Sequence, residues 1–509
     1  MIRRNLMSMV GLLTLTVTLA FGGAKPRTPN IVFVLVDQLR ADVLSCYGGE
    51  NIETPNMDRL ADEGIRLDNA LSTYPICSPY RAMCFTGMYP MRNGMTNNDH
   101  PLKPDLPSFA QACNDAGYDT AYIGKWHLYG FGRRQEYIPP EHRLGFGQWQ
   151  ALECTHDYFN SMYYENESQE PKYWPGYDAD SQTDAATDFI RGRDKDKPFF
   201  LTLSWGPPHD PYIAPKKYMD RVDPAKIKLR ANVASSAVAD ELLENPRFNI
   251  PDFVEDYKQQ SLATLKDESK IRENLAAYLA ATLALDDYLG RLYQALEDED
   301  ILDDSLIIFT SDHGDHLGSH RLWGKNTPYE ESIHIPFMMR YPKRIAPGLV
   351  SDALLEPVDV MPTVLGMVGV KCPKVDGEDR SRVVLGQEQD QREASLIMCM
   401  THLTNTSLIN GLDTWRGVRT KRFTYARYED ESPWLLFDNQ NDPFQLNNLA
   451  QNPESAKIIS GLSRTLNGLL EKAGDAEDTK ALYDQIIKEN PDRELLLRFR
   501  AANPDHENM

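Results

Sequence analysis

Four short apolar runs in this chain stop abruptly at charged or imidazole residues, and that layout narrows the fold more than any other feature. The first, residues 30–36 (NIVFVLV), is unbroken and rich in β-branched side chains. A run without polar alternation marks a strand covered on both faces, as in parallel sheets flanked by helices. It ends at Asp37 and Gln38. Residues 120–124 run into Lys125, Trp126 and His127; residues 199–205 into Pro207, Pro208 and His209; residues 305–310 into Ser311, Asp312, His313 and Gly314. In open α/β sheets, ligands gather at the carboxyl ends of strands. A single aspartate or lysine after a strand is as often a turn cap or a solvated loop residue, so the repetition carries the reading.

At 509 residues the chain suits one large α/β domain with a smaller companion. Residues 271–296 place apolar side chains at 275, 278, 279, 285, 288, 289, 292, 293 and 296, the period of an amphipathic helix packed on a sheet. After about residue 386 the pattern changes to strand-like runs at 395–400, 415–419, 423–427 and 434–437. Helical segments follow at 453–472 and 476–500. The expected organisation is a signal segment at 1–24, a catalytic domain at 25–385, and a C-terminal subdomain at 386–509 with a small antiparallel sheet, a helix and a helical tail.

Residues 1–24 carry Arg3 and Arg4, an apolar run from 9 to 21, and then Gly22, Gly23 and Ala24, the layout of a cleaved secretory signal. The run is shorter than the ~20 residues of a spanning helix, so the expectation is a periplasmic or secreted protein with no stable membrane anchor. The formal charge is 54 − 75 = −21, which argues against nucleic acid as the main partner. An anionic substrate would need a local basic pocket. The seven cysteines include no C-x-x-C pair, which disfavours a zinc site, and an exported chain could pair some of them.

Residues 74–90 (YPICSPYRAMCFTGMYP) hold Cys77, Pro79 and Arg81 at the spacing C-x-P-x-R, followed by Thr86 and Gly87. Alone, the pattern is weak, and a buried structural cysteine would satisfy it. Together with NIVFVLVDQ, GKWH, PPHDPY, TSDHG and LWGK, in that order over residues 29–340, it resembles the type I sulfatases of the alkaline phosphatase superfamily. Residues 56–64 (NMDRLADEG) also look like that family's first helix.

The resemblance implies an alkaline-phosphatase-like fold, with a large mixed and mostly parallel sheet between helices. It further implies that a formylglycine-generating or anaerobic sulfatase-maturating enzyme oxidises Cys77 to formylglycine. The hydrated aldehyde supplies the attacking oxygen and can expel sulfate by collapsing back, whereas a thiol would leave a stable adduct. By the same resemblance Asp37, Gln38, Asp312 and His313, with the converted Cys77, hold a divalent cation. Arg81 orients the diol, Lys125 and Lys325 bind sulfate oxygens, His127 assists collapse, and His209 protonates the leaving oxygen.

Two positions depart from the common pattern. Gln38 and His313 stand where Asp and Asn are usual, which weakens but does not displace the preference for calcium over magnesium or manganese. Tyr80 stands where a small residue is usual, which could slow conversion of Cys77. The Gln and His ligands also resemble phosphonate monoester and phosphodiester hydrolases of the superfamily, and a third alternative is an inactive sulfated-glycan binder. Aromatics crowd residues 129–177, including Phe131, Tyr137, Trp149, Tyr158, Phe159, Tyr163, Tyr164, Trp174 and Tyr177. Half or more are expected in the core, and the rest could stack on sugar, favouring a sulfated carbohydrate as substrate.

Overall fold

The computed structural model describes residues 28–98, 100–130, 135–233, 267–400 and 414–475. The expected signal segment, Phe131, residues 234–266 of the charged stretch after Lys216, and the helical segment expected at 476–500 lie outside the described residues.

Numbered along the chain, the strands of the main sheet are β1 (Asn30–Asp37), β2 (Ile65–Ala70), β3 (Asp119–Lys125), β4 (Gln148–Leu152), β5 (Met162–Glu165), β6 (Lys172–Tyr173), β7 (Phe199–Pro208), β8 (Ser305–Ser311), β9 (Phe337–Arg340) and β10 (Leu349–Leu355). Their order is β10-β2-β9-β8-β1-β7-β3-β4-β5-β6. The consecutive strands β8, β1, β7, β3 and β4 are mutually parallel, while β9, β5 and β6 pair antiparallel. The four runs that end in charged groups are therefore the four adjacent strands at the centre of the sheet.

The unbroken apolar run in β1 has a simple cause. Val32, Val34 and Val36 pack into the core on one face, and Ile31, Phe33 and Leu35 into the core on the other, all fully buried. Among the described residues, the helices of eight residues or more, in chain order, are α1 (Pro55–Asp62), α2 (Cys77–Thr86), α3 (Asp178–Gly192), α4 (Glu268–Asp298), α5 (Pro357–Val368) and α6 (Ala456–Ala473). Helices α3 and α4 cover the valine face, and α2 and α5 the other. The amphipathic period read at 271–296 is the central part of α4, and the helix expected at 56–64 is α1.

A second sheet, β11 (Ala394–Cys399), β12 (Trp415–Thr420), β13 (Phe423–Tyr428) and β14 (Pro433–Asp438), is a simple antiparallel meander. Leu462 and Leu466 of α6 join its core. Of the aromatics in 129–177, Trp149, Tyr158, Tyr164, Trp174 and Tyr177 are buried and Phe159 is 43 % exposed, so the cluster serves mainly packing. All seven cysteines are free thiols.

Candidate active site

The site lies at the carboxyl ends of β8, β1, β7 and β3, closed by the start of α2. At the end of β1 the register against β7 slips between Val36 and Asp37, so Asp37 pairs with Pro208. Such irregularities re-aim a strand end. Asp312 follows β8 directly, and its backbone N–H donates to the Val36 carbonyl at 3.1 Å. Its Oδ1 accepts from the Gln38 backbone N–H at 3.0 Å. The two aspartates are thus locked side by side, both fully buried.

Cys77 is the first residue of α2 and is 1 % exposed. Its Sγ lies 3.1 Å from His313 Nε2, 3.5 Å from Asp37 Oδ1 and 3.9 Å from Lys125 Nζ. His313 Nε2 is also 3.4 Å from Asp37 Oδ1 and 3.5 Å from Asp312 Oδ1. The tautomer of His313 follows from its other nitrogen: Nδ1 faces the Gly314 carbonyl at 3.0 Å. A carbonyl only accepts, so Nδ1 carries the proton and Nε2 presents a lone pair. Two carboxylate oxygens, an imidazole lone pair and a sulfur therefore converge, all within 4.8 Å of one another, with a single thiol proton among them.

The outer oxygens are compensated instead. Asp37 Oδ2 accepts from Lys125, and Asp312 Oδ2 accepts from Arg81 Nε at 3.0 Å. Arg81 further donates through Nη1 to the Lys125 carbonyl at 2.9 Å and to Ser204 Oγ at 2.8 Å. Its role in this structure is to tie α2, β3 and β7 to Asp312. The close passage of β3 past β7 needs a glycine: Gly124 has φ +105, and a Cβ there would lie 2.0 Å from the Ser204 carbonyl oxygen.

This geometry sets the protonation pattern. Burial raises Asp37, but Lys125 and then His209, Arg81 and His313 bring it well below the usual carboxylate range. Burial and the charge of Asp37 raise Asp312 to about 6. Burial, then the Asp37 carboxylate, pushes the Cys77 thiol up to about 12. A thiol so held stays protonated and is a poor nucleophile at neutral pH.

On the far side of Asp37, Lys325 donates to Gln38 Oε1 and also reaches His209 Nε2 at 2.7 Å. His209 Nδ1 faces the Asp210 carbonyl at 2.7 Å and carries the ring proton, so Nε2 is an acceptor. Burial and the adjacent Lys325 ammonium hold His209 well below its usual value. Lys325 is therefore the donor of this pair and His209 Nε2 the acceptor. The two residues are 116 positions apart, and only the fold brings the ammonium onto the imidazole.

His127, 3 % exposed and at φ 59, donates its backbone N–H to the Glu153 carbonyl at 2.7 Å. The Glu153 carboxylate accepts the backbone N–H groups of Leu128, Tyr129 and Gly130 at 2.8 to 3.2 Å, fixing the loop that follows.

The fold thus gathers Asp37, Cys77, Asp312, His313, Lys125 and Arg81 at one centre and Gln38, Lys325 and His209 beside it. Sequence reasoning did not single out four neighbours. His156 stacks on His209 with centroids 4.6 Å apart at 14°. Cys154 lies beside Lys125, His127 and His156; burial opposes its ionisation, but these neighbours, Lys125 first, bring the thiol well below its usual range. Asp210 and Asp315 both accept from the Gln38 amide. Asp210 lies inside a motif already noted, PPHDPY, and Asp315 directly follows another, TSDHG; their acidic character was the available signal. His156 and Cys154 carried none.

A family profile described as Sulfatase matches residues 29–370, and one described as N-sulphoglucosamine sulphohydrolase, C-terminal, matches residues 318–472. An ulvan-active sulfatase of Formosa agariphila is 34 % identical over 90 % of this chain and 84 % of its own length. An N-acetylglucosamine-6-O-sulfatase of Bacteroides thetaiotaomicron is 30 % identical over 86 % of each. Among solved structures, one in complex with its substrate D-glucosamine-2-N,6-O-disulfate superposes with a TM-score of 0.76 at 28 % identity, covering 89 % of this chain and 99 % of that one. A phosphonate monoester hydrolase of Agrobacterium radiobacter superposes with a TM-score of 0.71 at 25 % identity, covering 87 % and 96 %.

Proposed function

The chain belongs to the sulfatase family of sulfuric ester hydrolases, and from that premise we propose that it is exported and removes sulfate esters from a sulfated polysaccharide or its oligosaccharides. The nucleophile is a formylglycine made from Cys77 by a maturation enzyme, and a divalent cation, calcium first, is held by Asp37, Asp312 and His313 with the residue at 77. The observation that carries this reading is the convergence of four electron-pair donors on one point. The 3.4 and 3.5 Å edges from His313 Nε2 to the two carboxylates match right-angle ligands bonded at ~2.3–2.6 Å. Gln38 Oε1, which accepts from Lys325, keeps a second lone pair for the same cation.

When bound, the cation screens the sulfuryl oxygens and lowers the pKa of the hydroxyl that attacks. The other tasks fall to the chain. Arg81 holds Asp312 in place, Lys125 holds Asp37 and faces the nucleophile, and the Lys325–His209 pair faces the ester. Lys325 carries the proton, so His209 acts as an acid only after receiving it; together they deliver it to the leaving oxygen. His127, fixed behind Lys125, assists release of the sulfate. Protein made with a maturation enzyme should show a loss of about 18 Da at Cys77, the difference between thiol and aldehyde, and should turn over sulfated oligosaccharides. Active protein with an unmodified Cys77 would overturn the reading.

His209→Ala should cost roughly 10²–10⁴-fold on a sugar sulfate and far less on nitrophenyl sulfate, whose oxide leaves unaided. Equal losses on both would reduce His209 to a sulfate contact. A second reading, phosphonate monoester hydrolysis, is favoured by Gln38 and His313 and by the likeness to the Agrobacterium enzyme. Faster turnover of phenylphosphonate than of any sulfate ester would select it.

A further inference from the structure

Asp315 is a fully buried carboxylate to which the proposed chemistry gives no task. Four donors converge on it. Oδ1 accepts the backbone N–H groups of Leu317 at 3.1 Å and Gly324 at 3.0 Å. Oδ2 accepts the Gln38 Nε2 and the Tyr212 hydroxyl, each at 2.6 Å. One carboxylate thus joins the loop after β1, the loop after β7, its own loop after β8, and the residue that precedes Lys325.

The amide of Gln38 has a donor end and an acceptor end, and the site needs a particular one on each side. Nε2 is engaged by Asp315 and, at 3.2 Å, by Asp210. Lys325 is only a donor, so it requires Oε1 on its side. If the amide turned over, an N–H group would face the Lys325 ammonium.

We propose that Asp315 is a positioning residue that fixes which end of the Gln38 amide faces Lys325 and thereby holds the Lys325 ammonium beside His209 and the ester. This rests on the sulfate-side role proposed above for Lys325. Asp210 alone gives weaker control, since its contact is longer and its side chain is 49 % exposed. Asp315 acts through a short contact at a fully buried position and also anchors the Gly324 backbone next to Lys325.

The test inverts donor and acceptor without removing the group. Asp315→Asn keeps an oxygen for the Leu317 and Gly324 amides but turns an NH₂ toward the Gln38 NH₂, a contact of two donors. Gln38→Glu in the same protein replaces that donor by an acceptor and still offers Lys325 an oxygen. Asp315→Asn should keep its melting temperature and lose roughly 10–100-fold in kcat/KM, the scale of losing an outer partner of a ligand. Its affinity for inorganic sulfate, read by calorimetry, should fall by a comparable factor.

The double variant should regain at least about tenfold over Asp315→Asn, a coupling that two independent lesions would not give. Losses that multiply in the double variant, or an Asp315→Asn protein that binds and turns over normally, would overturn the proposal. Should Asp315→Asn not fold, Tyr212→Phe removes one donor to Oδ2; it should weaken sulfate binding about 2–10-fold, and unchanged binding would overturn the proposal equally. Wild type is assayed first on sulfated oligosaccharides, nitrophenyl sulfate and phenylphosphonate. If none is hydrolysed, the functional reading fails while the sulfate-binding arm still judges Asp315.

Discussion

Two charge clusters sit on neighbouring loops at the same edge of the sheet, and they are built on opposite principles. In one, Arg40 grips Asp42 through two hydrogen bonds of 2.5 and 2.7 Å, and Arg230 reaches both Asp42 and Glu331, the latter at 3.2 Å. Asn232 Nδ2 donates to Glu331 at 2.6 Å, and His320 lies 3.5 Å from its other oxygen. A donor faces each of these acceptors, and the cluster closes on itself. In the other, Lys125 and Arg81 neutralise the outer oxygens of Asp37 and Asp312, while the inner oxygens, one of them also holding the Gln38 backbone N–H, face Cys77 and the lone pair of His313. Both clusters balance their charges; the second is buried throughout, while the side chains of Arg230 and Asp42 in the first are 27 % and 26 % exposed. What separates the two is whether acceptors face donors or mainly face one another, and the second arrangement suits the cation proposed above.

The contrast breaks most sharply at Cys77. Cys77→Ala should cost roughly 10⁴-fold or more in kcat, the scale of losing a covalent nucleophile, with an unchanged melting temperature. A residual rate within tenfold of wild type would place the chemistry elsewhere.

Next comes the crossed pair of substitutions. Asp312→Asn should empty the site of metal, measured by elemental analysis, and lose on the order of 10³-fold in rate while the fold keeps or gains stability. Arg40→Met should do the reverse. It should cost about 3 kcal/mol, the lower end of the ~3–5 kcal/mol for unpairing a buried ion pair, because Arg230 remains, and kcat per folded molecule should hold within about threefold. Similar loss of stability in both variants would erase the distinction.

The smallest effect is in the pH dependence of stability. Against the cost of burial, Arg230 and Arg40 hold Asp42 below its usual value, and Arg230 with His320 holds Glu331 well below. Carboxylates depressed on folding stabilise above the unfolded pKa of about 4, and that contribution is lost as pH falls through their folded values. Asp312, raised to about 6 in the metal-free site, has the opposite sign: its ionisation destabilises the chelated protein above about pH 6, and the penalty fades as pH falls. Chelation should therefore lower the melting temperature more at pH 8 than at pH 5. An equal drop at both would mean that Asp312 is not strained by Asp37.

The sequence alone determined the central strands. The unbroken apolar runs in β1, β7 and β8 require cover on both faces whatever the rest of the chain does, and a polar residue after such a run must lie at the sheet's edge. That is why Asp37, Lys125, His209 and Asp312 were legible as one group, and why α4 was legible from its period. The aromatics of residues 129–177 were less so, since a ring that packs and a ring that meets solvent look alike in sequence, and most proved to be core. Strand order was not legible, and with it went every contact across the site. That β8, β1, β7 and β3 lie side by side decided that Lys325 rests on His209, that Arg81 holds Asp312, and that Asp315 holds Gln38 from 277 residues away. Local periodicity encodes whether a side chain is buried, a property of its own segment. Which acceptor faces which donor depends on elements hundreds of residues apart, and only the packed sheet fixes that.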